Sequence, residues 1–117
     1  MTAALGKELV ALLLEAATAE MGATLAKQLI ATLDSPHFAL STPHNDAPWI
    51  STVDGSWLCK DGCVFSAYYH PTLEHRVTTV GALGQKTSTA PAGKWAVSYQ
   101  TKARTGNQAL YNTYPFK

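Results

Sequence analysis

The chain lacks most of the features that announce a function. No apolar run approaches the roughly 18–20 residues of a membrane span; the closest segment, Leu9 to Leu14, is bracketed by Glu8 and Glu15. Read as a signal peptide, that segment would use Lys7 as its basic end and Ala17-Thr18-Ala19 as a cleavage site. Its apolar stretch of about six residues falls short of the usual 7–15, with an acid on each side. The expectation is therefore no signal peptide and a cytoplasmic or virion-associated protein. There is no Gly-x-Ser-x-Gly elbow, phosphate-binding P-loop, dinucleotide fingerprint or calcium loop. With 46% hydrophobic and 15% charged residues, the chain also lacks the low hydrophobicity and high net charge of disorder.

What is present fits one domain around one core in 117 residues, helical over 1–34 and β-rich over 37–117. The net charge of +1 is unevenly spread. Through Cys59, Lys7 and Lys27 face Glu8, Glu15, Glu20, Asp34, Asp46 and Asp54, giving −4. From Lys60 onward, Lys60, Arg76, Lys86, Lys94, Lys102, Arg104 and Lys117 face only Asp61 and Glu74, giving +5. Two solvated surfaces of different balance are the plain reading; complementary faces for self-association, or a small anionic ligand or nucleotide on the sheet, are the functional ones. Nucleic acid is disfavoured because the bases stand singly.

Residues 3–33 contain no proline and are dominated by good helix formers. At 100° per residue, Leu5, Leu9, Leu12 and Ala16 form one stripe, and Met21, Leu25, Leu29 and Leu33 form another, more than half a turn away. Gly22 lies where they change over. This predicts two helices, 3–20 and 23–34, or one helix covered differently at its two ends. Apolar residues on two sides point to a homo-oligomer with Leu5, Leu9 and Leu12 at the interface. Asp34-Ser35-Pro36 stops the helix.

The remainder is β-branched and aromatic, punctuated by turn signals. Strands are expected at 37–42, 49–53, 56–59, 63–70, 75–80, 94–102 and 108–114, joined as antiparallel hairpins. In 94–102 the alternation predicts Trp95, Val97 and Tyr99 beneath the helices, and Ser98, Gln100 and Lys102 on a wet face. The fold class expected is α+β, with an N-terminal helix or helix pair broken near Gly22 on a mostly antiparallel sheet of five to seven short strands. Gly81 to Gly93 reads as a long polar loop, functional or mobile.

Three constellations bear chemistry. Cys59-Lys-Asp-Gly-Cys63 sets two thiols about a three-residue turn. Two buried free thiols are the favoured reading, a hairpin disulfide is the second, and a metal or redox role is the third. His70-Pro-Thr-Leu-Glu-His75, with Arg76 adjoining, is the densest polar cluster. A surface turn is the plain reading, and a zinc site or an acid/base pair is the chemical one. A site built there would use Tyr68, His70, Glu74, His75 and Arg76, with His37 and His44 as further candidates. The strand aromatics are mostly core; Tyr68 and Tyr69 must point to opposite faces, placing one at a wet or partnered surface.

The run L-D-S-P-H-F-A-L-S-T-P-H-N-D-A-P-W-I-S-T-V from Leu33, with K-D-G-C-V-F-S-A-Y-Y from Lys60, resembles the opening of split-barrel flavin-binding proteins of the pyridoxamine-phosphate-oxidase type. In those, a helix precedes a strand ending near Ala-Thr, then a strand beginning near Pro, then a strand after Asp-Gly. The resemblance implies an FMN-binding dimer. Where that family continues with a basic helix, this chain has Val77-Thr78-Thr79-Val80.

With no catalytic motif, the leading expectation is a non-enzymatic, homo-oligomeric structural or binding module. It would be a phage or accessory protein without cofactor and without membrane contact, binding itself, a protein or a small anionic ligand. An FMN-binding split barrel and a metal-dependent hydrolase using His70, Glu74 and His75 are the alternatives.

Overall fold

Helix α1 (Lys7–Met21) ends at Gly22, and α2 (Ala23–Ala31) begins immediately after it. Gly22 has φ +90°, a conformation open to glycine and costly for residues with a Cβ. The break expected from the changing stripe is thus a one-residue corner. Neither helix has a side-chain N-cap bond, so burial rather than capping holds them. Leu13, Ala17 and Met21 of α1 and Ala26 and Leu29 of α2 are buried. The computed structural model describes residues 5–33, 35, 38–44 and 46–116. Residues 3 and 4 of the expected first helix, the stop residues Asp34 and Pro36, and His37 lie outside these.

Seven strands follow among the described residues: β1 (Ala39–His44), β2 (Ala47–Thr52), β3 (Cys63–Tyr69), β4 (His75–Gly81), β5 (Gly84–Ala90), β6 (Trp95–Thr101) and β7 (Gln108–Thr113). They form two antiparallel sheets, ordered β1-β2-β3-β6 and β5-β4-β7. The α+β class holds, with two sheets in place of one. The helices cover one face of the four-stranded sheet. There Ile50, Phe65, Ala67, Trp95 and Val97 share a core with Leu5, Leu13, Ala17, Met21 and Leu29. Burying a side chain such as that of Phe65 contributes on the order of 1.5–3 kcal/mol. The three-stranded sheet lies against the other face.

Three polar ties reinforce the helical layer. The Trp95 indole donates to the Leu9 carbonyl at 2.9 Å, and the Gln28 amide to the Trp57 carbonyl at 2.8 Å. Lys86 reaches Glu20 at 2.7 Å. In this last pair, and in Lys102 with Asp54 at 3.0 Å, the acidic and basic parts of the chain meet within the molecule.

Three expectations are corrected. Residues 56–59 are not a strand: Leu58 and Cys59 donate to the Gly55 carbonyl and Gly62 to that of Cys59, which coils the segment into successive turns. The 81–93 stretch is not a loop. Gly81 pairs with Gly84 about a two-residue turn, and β5 runs beside β4 as far as Ala90. Its polar sequence hid it, because one side of β5 is exposed and the other meets a polar layer. Finally, the wet face of 94–102 is not wet. Ser98 and Gln100 are buried between the sheets, as is Tyr68, while Tyr69 is half-buried on the helix side. Lys102, past the end of β6, turns to Asp54.

Candidate functional site

The seam between the sheets combines a small apolar cluster of Ala47, Tyr68, Val77, Ala90 and Ala96 with a set of hydrogen bonds. The Trp49 indole donates to Ser66 Oγ at 2.8 Å, and Ser66 in turn donates to the Leu110 carbonyl at 3.1 Å. Thr79 and Ser98 hydroxyls meet at 3.0 Å, and Ser98 donates to the Lys86 carbonyl. Gln100, 3% exposed, donates its amide to the carbonyls of Thr79 and Gly84 at 3.0 and 2.8 Å and accepts from Leu83 N–H at 2.7 Å. Buried polar groups are tolerated on condition that they find such partners. These residues escaped the sequence reading because alternation of apolar and polar residues is the same for a wet face and a hydrogen-bonded seam.

At one end of this seam the structure brings together three of the five residues picked from the sequence. The ring of Tyr68 lies 5.5 Å from that of His75 and 6.2 Å from that of His70, and the two histidines are 6.3 Å apart. All three residues are buried. Burial, with the Tyr111 phenol beside it, pushes the Tyr68 hydroxyl up to about 12. That hydroxyl has no hydrogen-bond partner among the described residues.

The other two residues are elsewhere. Glu74 is exposed and contributes its backbone carbonyl, which accepts from Tyr114 N–H. Arg76 points to the outer face, its guanidinium 4.3 Å from the centre of the Phe116 ring, a cation–π contact. Nδ1 of His70 and both ring nitrogens of His75 are engaged by backbone. His70 Nδ1 accepts from the N–H groups of Thr72 and Leu73 at 3.2 and 3.1 Å. His75 Nδ1 lies 2.8 Å from the Leu73 carbonyl and Nε2 2.7 Å from that of Lys94. The hydrolase reading fails here, because Glu74 is exposed while both imidazoles are buried and three of their ring nitrogens are committed to backbone partners. Among the described residues, no group of three or more His, Cys, Asp or Glu comes together to hold a metal. His37 lies outside the described residues, and β1 carries His44.

Cys59 and Cys63 are joined by a disulfide, with Cα atoms 5.7 Å apart. It closes the turn after Gly55, whose backbone is pressed against Cys63: a Cβ at Gly55 would stand 2.8 Å from the sulfur. Leu58 is thereby held in the core under the helices. Beside the turn, the Lys102 ammonium, by hydrogen bond first and by charge second, holds the Asp54 carboxyl below its usual range.

The outer face of the three-stranded sheet carries an open polar groove of about 280 Å³ lined by Arg76, Thr78, Gln85, Leu110, Tyr111 and Asn112. It offers guanidinium, hydroxyl and amide groups for hydrogen bonding. Leu5 is buried and Leu9 and Leu12 half-buried, packed into this chain's own core.

Residues 55–111 match the model of a family described as Bacteriocin (Lactococcin_972). The match covers a little under half of the chain. It takes in the disulfide-closed turn and β3 to β6 with much of β7, and leaves out both helices, β1 and β2. No curated protein and no solved structure matches the chain. The similarity to a bacteriocin family overturns the expected phage-like cytoplasmic structural module, and with it the hydrolase and the FMN-binding split barrel. The two separate sheets also differ from the split barrel that the flavin resemblance implied.

Proposed function

We propose that this chain is a secreted antibacterial protein of the bacteriocin kind. The observation that carries the reading is the match of residues 55–111 to the Lactococcin_972 bacteriocin family. The Cys59–Cys63 disulfide lies inside the matched region, and structural disulfides persist in oxidising, extracytoplasmic surroundings. A disulfide-closed sandwich with an open polar face suits a protein that acts by binding. The role of the chemistry-bearing residues is then to shape that body: the His70/His75 pair and Gln100 hold its ends and seam.

The test is growth inhibition. Purified, oxidised protein applied to lawns of a panel of bacterial indicator strains is expected to clear a concentration-dependent zone on at least one strain. Absence of inhibition across the panel by folded protein contradicts the reading.

A further inference from the structure

The Cys59–Cys63 disulfide joins two unlike positions. Cys63 is 0% exposed, and its backbone is fixed twice. It pairs with Thr101 of β6, and its carbonyl accepts from the Gly55 N–H at 2.8 Å. Cys59 lies on the turn and keeps part of its surface in solvent. As a free thiol Cys63 would find an acceptor already in place, since its sulfur lies 3.7 Å from the Gly55 carbonyl oxygen.

The turn that this bond closes also supports α2. The polar ties of α1 run to the sheets, from Trp95 to the Leu9 carbonyl and from Lys86 to Glu20. The tie of α2 runs to the turn, where the Gln28 amide donates to the Trp57 carbonyl at 2.8 Å. Leu58, 4% exposed, enters the same apolar core as Ala26, Leu29 and Leu33. Helix α2 has nine residues and no side-chain cap, which is too short to persist without its packing.

We propose that Cys59 is a thiol–disulfide exchange site for dithiol reductants, and that its bond to Cys63 is the latch that keeps α2 docked. A thiolate of the reductant attacks the Cys59 sulfur. A new S–S bond forms there as the Cys59–Cys63 bond breaks, and the electron pair leaves on Cys63, which takes up a proton. The reductant's second thiol loses its proton and attacks the reductant's own sulfur in the mixed disulfide. The pair then leaves on Cys59, which is protonated in turn. The dithiol is oxidised by two electrons to a disulfide, and the protein disulfide is reduced by two to a pair of thiols. A monothiol on Cys59 is expelled again by Cys63, whose Cα stands 5.7 Å away in the closed turn, so a dithiol is the competent class. With the bond open, the turn loses its covalent closure, Leu58 and the Trp57 carbonyl withdraw from α2, and the helix undocks while β3 and β6 stay paired.

Two measurements on the intact chain test this. Brief exposure to glutathione, an acid quench and peptide mapping locate the first adduct, which is expected on Cys59; equal or greater labelling of Cys63 overturns the exchange site. Amide hydrogen exchange with and without dithiothreitol then reads the latch. On reduction, exchange over residues 23–33 should rise roughly tenfold or more beyond any rise over β6. An equal rise in both segments, or none in 23–33, overturns it. Gln28→Leu cuts the tie without touching either sulfur, so in the oxidised variant α2 should already exchange faster than in the parent, and reduction should add less. Unchanged exchange over 23–33 in that variant contradicts the latch, and the unaltered protein decides the matter even where the variant fails to fold.

Discussion

Gln100 joins two sheets with one amide group, reaching the carbonyls of Thr79 and Gly84 and the N–H of Leu83 at once. Replacing it by Leu keeps most of the volume and strips every bond, leaving three backbone groups without their partner. Each buried orphan costs about 1–3 kcal/mol, so Gln100→Leu is expected to lower stability by roughly 3 kcal/mol or more, read as the shift of the urea midpoint. A variant as stable as the parent would show that water replaces the amide. Gly81 stands at the same corner: a Cβ there would lie 2.7 Å from the Thr101 carbonyl oxygen. Since the obstacle is backbone, Gly81→Ala should cost about 1–3 kcal/mol, measured in the same titration. Asp54 makes a further prediction by its sign. Its acidity is raised by Lys102, so the stabilisation from the pair is present above the ordinary carboxylate range and lost as pH falls through the lowered value. In Lys102→Met the Asp54 carboxyl should titrate higher than in the parent when followed by carbon NMR; an unchanged curve would contradict the assignment.

At the scale of elements, the disulfide turn, the helix pair and the β4–β5 hairpin each depend on a local choice. The loop closed by Cys59 and Cys63 is short, so its contribution through the unfolded chain is modest, about 2 kcal/mol. Reduction should lower stability by that amount, read from the shift of the urea midpoint, and leave the sheets formed, seen as retained far-ultraviolet dichroism. The helix corner at Gly22 was legible because a change of apolar stripe beside a glycine has few other meanings. The strands with β-branched or aromatic alternation, β2, β3, β4, β6 and β7, were legible to within a few residues. The strand β5 was not. Gly84-Gln-Lys-Thr-Ser-Thr-Ala holds no large apolar residue, because its inner side meets a polar layer and its outer side meets water. The clue available was Gly81-Ala-Leu-Gly84 as a two-residue turn following a clear strand.

For the whole molecule, a layer of helices and two sheets replaces the helix-covered single sheet. The second sheet was invisible in the pattern for a physical reason: Thr79, Ser98 and Gln100 satisfy one another, so their part of the buried seam has the composition of a solvated face. The candidate site was half legible. Tyr68, His70 and His75 do converge, while Glu74 and Arg76 point elsewhere, which follows from the outward turn of Glu74 and the alternation of β4. Which histidine nitrogen meets which backbone group is set by two separate connections, 70–74 and the one between β5 and β6, and no linear pattern records that. Function was not legible at all; it rests on the likeness of residues 55–111 to a bacteriocin family.

The measurement that bears most directly on that reading compares spent medium from cells producing this chain with medium from the same cells lacking it. The account predicts that only the first inhibits a susceptible indicator strain, and that the chain recovered from it carries the Cys59–Cys63 bond. Equal activity of the two media, or a chain found reduced and confined to the cytoplasm, would contradict it.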